Sequence, residues 1–91
     1  MGSFSVDYCR VNQTGIDFLL TDLDLAVTFM VVAEVSRNAE TVHRNYENAR
    51  TAHDTVVRLL ERLTPNAKQR RAIDAKLAFL ETGLQAVGYQ L

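Results

Sequence analysis

Between residues 39 and 63 the positions Ala39, Val42, Tyr46, Ala49, His53, Val56, Leu60 and Leu63 step by alternating threes and fours, and Arg, Glu, Asn, Thr and Asp fill the gaps. That is the seam spacing of a helix with one buried face and one wet face, packed nearly parallel or antiparallel to its neighbours. Asn38 precedes the run as an N-cap, because its side-chain oxygen can accept a first-turn backbone N–H. A second segment, about 65 to 87, repeats the spacing through Ile73, Leu77, Leu80, Leu84 and Val87, with Ala72, Phe79 and Ala86 widening the face. Pro65 suits a first helical turn with Thr64 as its cap, and Gly88 ends the segment as a left-handed cap before the tail 89–91.

The stretch from about 15 to 35 follows a different pattern. Asp17, Thr21, Asp24 and Thr28 form one narrow polar stripe, and Phe18, Leu19, Leu20, Leu23, Leu25, Val27, Phe29 and Met30 surround it. Phe29-Met30-Val31-Val32-Ala33 is apolar on every side. A helix of that kind requires cover over most of its circumference. It is too short to cross a membrane: the uncharged run from Leu25 to Ala33 is about half of the roughly 20 residues a bilayer span needs. Thr14 and Asp17 have the arrangement of a capping box at its start. Ahead of it, Phe4, Val6 and Tyr8 alternate with Ser5, Asp7 and Cys9, a period of two that predicts an extended arm over 1–13.

The predicted fold is therefore all-α: an antiparallel, up-down-up bundle of three helices (about 15–35, 39–63 and 65–87) spanning 14–88, with a short extended N-terminal arm. Charge agrees with this topology. Helix 1 carries Asp17, Asp22, Asp24 and Glu34 and no basic residue, whereas helix 3 opens with Lys68, Arg70 and Arg71. The two starts lie at the same end of such a bundle, so the basic cluster is expected to face the acidic one. With 91 residues, 47% of them hydrophobic and 23% charged, the chain has the composition of one small folded domain. A net charge of -1 supplies no global basic field for nucleic acid or acidic lipid. Met1-Gly2-Ser3-Phe4-Ser5-Val6 lacks the basic segment and apolar run of a secretory signal, and Val6 stands where a myristoylation motif has Ser or Thr. The expected location is the cytoplasm.

Candidate chemistry is sparse. Cys9 is the single cysteine, which excludes an internal disulfide and a Cys-based zinc site. Asn12-Gln13-Thr14 matches a glycosylation acceptor, which is irrelevant without secretion. Glu40-Thr41-Val42-His43 is an E-x-x-H on a helix, continued by Glu47, but a di-iron site needs two such elements plus carboxylates from two further helices. The seam also places Glu40, His43 and Glu47 on the wet side. His53 falls in the seam and requires a hydrogen-bond partner near the core. No nucleophile turn and no glycine-rich phosphate loop is present, so the expectation is a non-enzymatic protein with no cofactor, no metal ligands and no catalytic residues.

Thr21-Asp22-Leu23-Asp24-Leu25-Ala26, Arg44-Asn45-Tyr46-Glu47-Asn48-Ala49-Arg50 and Val57-Arg58-Leu59-Leu60 resemble a loose group of short uncharacterised bacterial helical proteins, the likeness covering about residues 14–87. No activity is assigned to that group, so the resemblance implies no site and no substrate. The hairpin of helices 2 and 3 is likewise similar to hairpins of helical adaptor proteins. Two helices cannot cover a full apolar cylinder in so small a domain, and an uncovered patch marks an interface. The leading expectation is a protein–protein interaction or structural module, a homodimer or other homo-oligomer or the receiver of a helical partner. Its contact candidates are Phe18, Leu25, Phe29 and Val32 with Val6 and Tyr8 of the arm. The alternative is a small nucleic-acid-associated regulator using Lys68, Arg70 and Arg71.

Overall fold

A computed structural model describes the backbone from residue 2 to 91 and the side chains from residue 9 onward. Three helices follow one another: α1 over Gly2–Val35, α2 over Ala39–Leu60 and α3 over Ala67–Ala86. They form an elongated all-α bundle of 56 × 19 × 19 Å in which α1 packs most extensively on α2, less on α3, and α2 and α3 touch least.

The termini are built largely as the spacing requires. Asn38 Oδ1 accepts the Thr41 N–H at 3.0 Å and starts α2. Gly88, at φ 101°, ends α3 in a left-handed turn. The Tyr89 N–H then reaches the Leu84 carbonyl at 3.0 Å and the Gly88 N–H the Gln85 carbonyl at 3.1 Å, the paired bonds of a Schellman motif. At the start of α3 the cap differs from the expectation. Asn66, not Thr64, is the N-cap, in a capping box with Gln69. Asn66 accepts the Gln69 N–H at 2.8 Å while the Gln69 side chain accepts the Asn66 N–H at 2.9 Å. Pro65 therefore lies in the loop ahead of the cap. The end of α2 also comes earlier than the seam suggests, at Leu60, followed by a turn at 61–62.

The largest departure is at the N-terminus. Residues 2–13, whose alternation predicts an extended arm, continue α1 as helix, and Thr14 is an interior position rather than a cap. A lone strand would leave its backbone groups without a ladder, whereas extending an existing helix satisfies one more hydrogen bond per residue. Phe4, Tyr8 and Val11 also fit an i, i+4, i+7 helical reading. Where α1 reaches the α2–α3 loop, Asn12 fastens it: Oδ1 accepts the Thr64 N–H at 2.7 Å and the Thr64 hydroxyl at 3.1 Å, and Nδ2 donates to the Thr64 carbonyl at 3.1 Å.

The core is one continuous cluster. From α1 it takes Leu19, Leu23, Ala26 and Met30, from α2 Ala49, Ala52 and Val56, and from α3 Ile73, Leu80 and Leu84. With Ile16 and Ala33, the buried residues of α1 step 3-4-3-4-3, so this helix has one buried stripe and not a buried circumference. Gly83 lets α3 approach α1 closely, since a Cβ there would collide with the terminal methyl of Met30.

Candidate functional surface

On the outer side of α1, Val11, Phe18, Leu25 and Val32 recur every seven residues, at 67%, 58%, 49% and 38% exposure. Their common heptad position sets them on one line along the helix. Thr21 and Thr28 adjoin that line, and their hydroxyls are turned inward: Thr21 Oγ1 donates to the Asp17 carbonyl at 3.0 Å and Thr28 Oγ1 to the Asp24 carbonyl at 3.1 Å. Each hydroxyl is thereby satisfied by its own helix.

Beside this line runs a shallow groove of about 400 Å3, with Phe18, Asp22 and Phe29 of α1 on one wall and Asn48, Thr51, Ala52 and Thr55 of α2 on the other. The Thr55 hydroxyl is likewise bonded to its own helix, at the Thr51 carbonyl. Of the contact candidates, Phe18 and Leu25 are exposed, Val32 is just so, and Phe29 is half-buried against the groove. Val6 and Tyr8 lie outside the described side chains. Val11 belongs to the same line and was concealed by the reading of residues 1–13 as an arm.

The electrostatics of this face are lopsided. Among the described residues, Asp22 is half-buried in the groove wall with no hydrogen-bond or ion-pair partner, and Asp24 is held by Lys76 of α3 at 2.6 Å. Arg44 and Arg58 on α2 are exposed and make no ion pair among the described residues. Among the described residues, none of the expected cluster Lys68, Arg70 and Arg71 meets an acidic side chain of α1, and the ion pair that joins α3 to α1 is Lys76–Asp24. Arg70 turns along its own helix to Asp74 at 3.0 Å, and Lys68 and Arg71 point to solvent. The three residues of the nucleic-acid alternative therefore share one end of α3 without forming a continuous basic face.

Two polar assemblies link α2 to α3 and its tail. His53, only 5% exposed, places Nε2 2.8 Å from Glu81 Oε2 and Nδ1 3.0 Å from Asp54 Oδ1, and Asp54 also pairs with Arg50 at 2.9 Å. Tyr89 is brought back onto α2 by the Gly88 turn, where its hydroxyl donates to Glu47 Oε1 at 2.6 Å and its ring lies 5.7 Å from the Arg50 guanidinium. That hydrogen bond to Glu47 raises the Tyr89 phenol above its ordinary 10.0. An open cleft of about 530 Å3 lies next to it, floored by Val42 and Tyr46 and edged by His43 and Val87. Glu40 and His43 are exposed, and Glu47 is engaged by Tyr89. Among the described residues no three His, Cys, Asp or Glu side chains converge as metal ligands, and no helix is long and apolar enough to cross a membrane.

Comparison with protein-family models, with curated proteins and with solved structures yields no match for this chain.

Proposed function

We propose that the chain is a non-enzymatic helical module for protein–protein association, and that it self-associates through α1. The supporting observation is the heptad line Val11, Phe18, Leu25 and Val32, exposed on the outer side of the helix between residues 11 and 32, with Phe29, Thr21 and Thr28 beside it. Isolated exposed apolar residues are ordinary on a soluble protein; a contiguous line continuing into a groove is the signature of a docking surface. Fully burying a side chain of this size contributes about 1.5–3 kcal/mol, so burying the exposed half of Phe18 and Leu25 contributes about 1 kcal/mol each per copy.

The test is the mass of the protein in solution. Size-exclusion chromatography with light scattering at tens of micromolar should give a dimer or higher oligomer, and Phe18→Asp or Leu25→Asp should shift it to monomer with the helical circular dichroism retained. A strictly monomeric wild-type chain would refute self-association.

A further inference from the structure

We infer that the groove between α2 and the C-terminal tail is a peptide-binding site, bridged at its middle by the chain's own Tyr89, and that its occupant is a partner segment presenting a tyrosine with an aliphatic residue two positions on.

The groove follows one line of α2. Ala39, Val42, Tyr46, Arg50, His53 and Val57 step 3-4-4-3-4, which keeps them on one side of the helix over about 27 Å at 1.5 Å per residue. Two open clefts of about 530 and 540 Å3 lie along it: the first is floored by Val42 and Tyr46 and edged by Val87, and the second lies over Val57 between Arg58 and Leu91. Tyr89 stands between them, because its hydroxyl and ring are held by Glu47 and Arg50, which fall between Tyr46 and His53 in α2. Three extended tail residues reach roughly 10 Å, so the tail covers only about a third of the line. Val57, Val87 and Leu91 stay 38%, 47% and 46% exposed around it. Asn48, Thr51 and Thr55 lie on the other side of α2, in the groove beside α1, so this site is separate from the α1 surface and does not depend on self-association.

The tail itself shows the chemistry of the occupant. The Tyr89 phenol donates to Glu47 Oε1 at 2.6 Å and sets its ring 5.7 Å from the Arg50 guanidinium, using both the polar tip and the aromatic body of the side chain. Phenylalanine would leave the carboxylate without that donor, and serine or threonine would offer Arg50 no ring. Two residues on, Leu91 meets Val57 at the second cleft. A tyrosine followed at the second position by an aliphatic residue reproduces both anchors, and a segment longer than the tail continues into the first cleft over Val42 and Tyr46. The tail can yield its place because Gly88 is its hinge: at φ 101°, with nothing within 4 Å of where a Cβ would stand, it holds the reversal by backbone conformation and not by packing.

The probe is the N-acetylated peptide of residues 87–91, titrated into the isotope-labelled full chain and followed by amide chemical shifts. A tail docked about 90% of the time leaves about one site in ten competent and weakens peptide binding about tenfold. Tyr89→Ala, which removes the bridge, should therefore bind the peptide at least about tenfold more tightly than wild type, with shifts at Val42, Tyr46, Glu47, Arg50 and Val57. Gly88→Val, which keeps Tyr89 but opposes the positive-φ turn that brings it back, should open the site likewise. The same peptide with phenylalanine in place of tyrosine should bind about fivefold more weakly or worse. Equal affinity in wild type and both variants, no shifts in either variant at about 5 mM peptide, where a millimolar site is mostly filled, or shifts gathered instead at Phe18 and Leu25 overturns the site. A dimer that dissociates in Tyr89→Ala would make the second copy's tail the occupant and overturn the partner assigned above. A chain monomeric by light scattering refutes self-association and leaves the peptide site standing.

Discussion

Removing the imidazole of His53 tests whether the α2–α3 contact is held by polar bonds, as its sparse packing implies. The His53 side chain is 6% exposed, while those of its partners Glu81 and Asp54 remain 42% and 45% exposed. His53→Ala therefore strands no carboxylate away from water: Glu81 hydrates, and Asp54 keeps Arg50 at 2.9 Å. The loss is a hydrogen bond to a charged group, about 1.5–3 kcal/mol when fully buried, which half-exposed partners lower to about 1 kcal/mol, plus about 1–2 kcal/mol for the packing of a buried ring. A double-mutant cycle with His53→Ala and Glu81→Ala, read by urea unfolding at fixed ionic strength, isolates the bond. The expected coupling is about 1 kcal/mol, and His53→Ala alone should lower Tm by about 8–15 °C in a domain of this size. The exposed Arg70–Asp74 pair, at i,i+4, is the control and should couple by no more than about 0.5 kcal/mol. A His53–Glu81 coupling no larger than that of the control would refute the reasoning.

Other outcomes follow from burial and from named bonds. Leu23→Ala, in the closed core, should cost about 2–5 kcal/mol of unfolding free energy, whereas Leu25→Ala, two residues on, should change the stability of the monomer by less than about 0.5 kcal/mol. Asn12→Ala removes three bonds to Thr64 and should destabilise by about 1–2 kcal/mol, with faster amide exchange in the α2–α3 loop as its local mark. Tyr89 should titrate above 10.0 and return toward that value in Glu47→Gln, followed by the phenolate absorbance that disappears in Tyr89→Phe. A phenol whose pKa is raised by folding stabilises the folded chain fully below its unfolded range and loses that contribution as pH climbs through the raised value, so the tail should release at alkaline pH.

The periodic segments were legible because α2 and α3 each turn one stripe into the shared core. Asn38 and Gly88 were legible because each carries its own local chemistry. Residues 2–13 were not, since Phe4, Val6 and Tyr8 satisfy a strand alternation as well as Phe4, Tyr8 and Val11 satisfy a helical one, and the contact that fastens the segment, Asn12 to Thr64, joins residues 52 apart in the chain. Separations of 28 and 42 residues likewise hid Glu81 from His53 and Glu47 from Tyr89. On the surface, Phe18, Leu25 and Val32, which the sequence marks as apolar beyond what a core needs, are exposed, whereas the bonds of the Thr21 and Thr28 hydroxyls to their own helix are not legible from sequence. The charge reading failed for Arg70 because Asp74, four residues on, is nearer than anything on α1.

The uneven packing of the three helices fixes an order of detachment. Since α3 packs less on either partner than α1 and α2 pack on each other, and its polar links to α2 are a histidine bridge and a tyrosine clasp, α3 is expected to be the leaf that lifts first, with the α1–α2 hairpin still shut. Amides of Ile73 to Leu84 should then exchange together, at a lower opening free energy than those of α1 and α2, and protease nicking should begin in the loop at Leu63–Asn66.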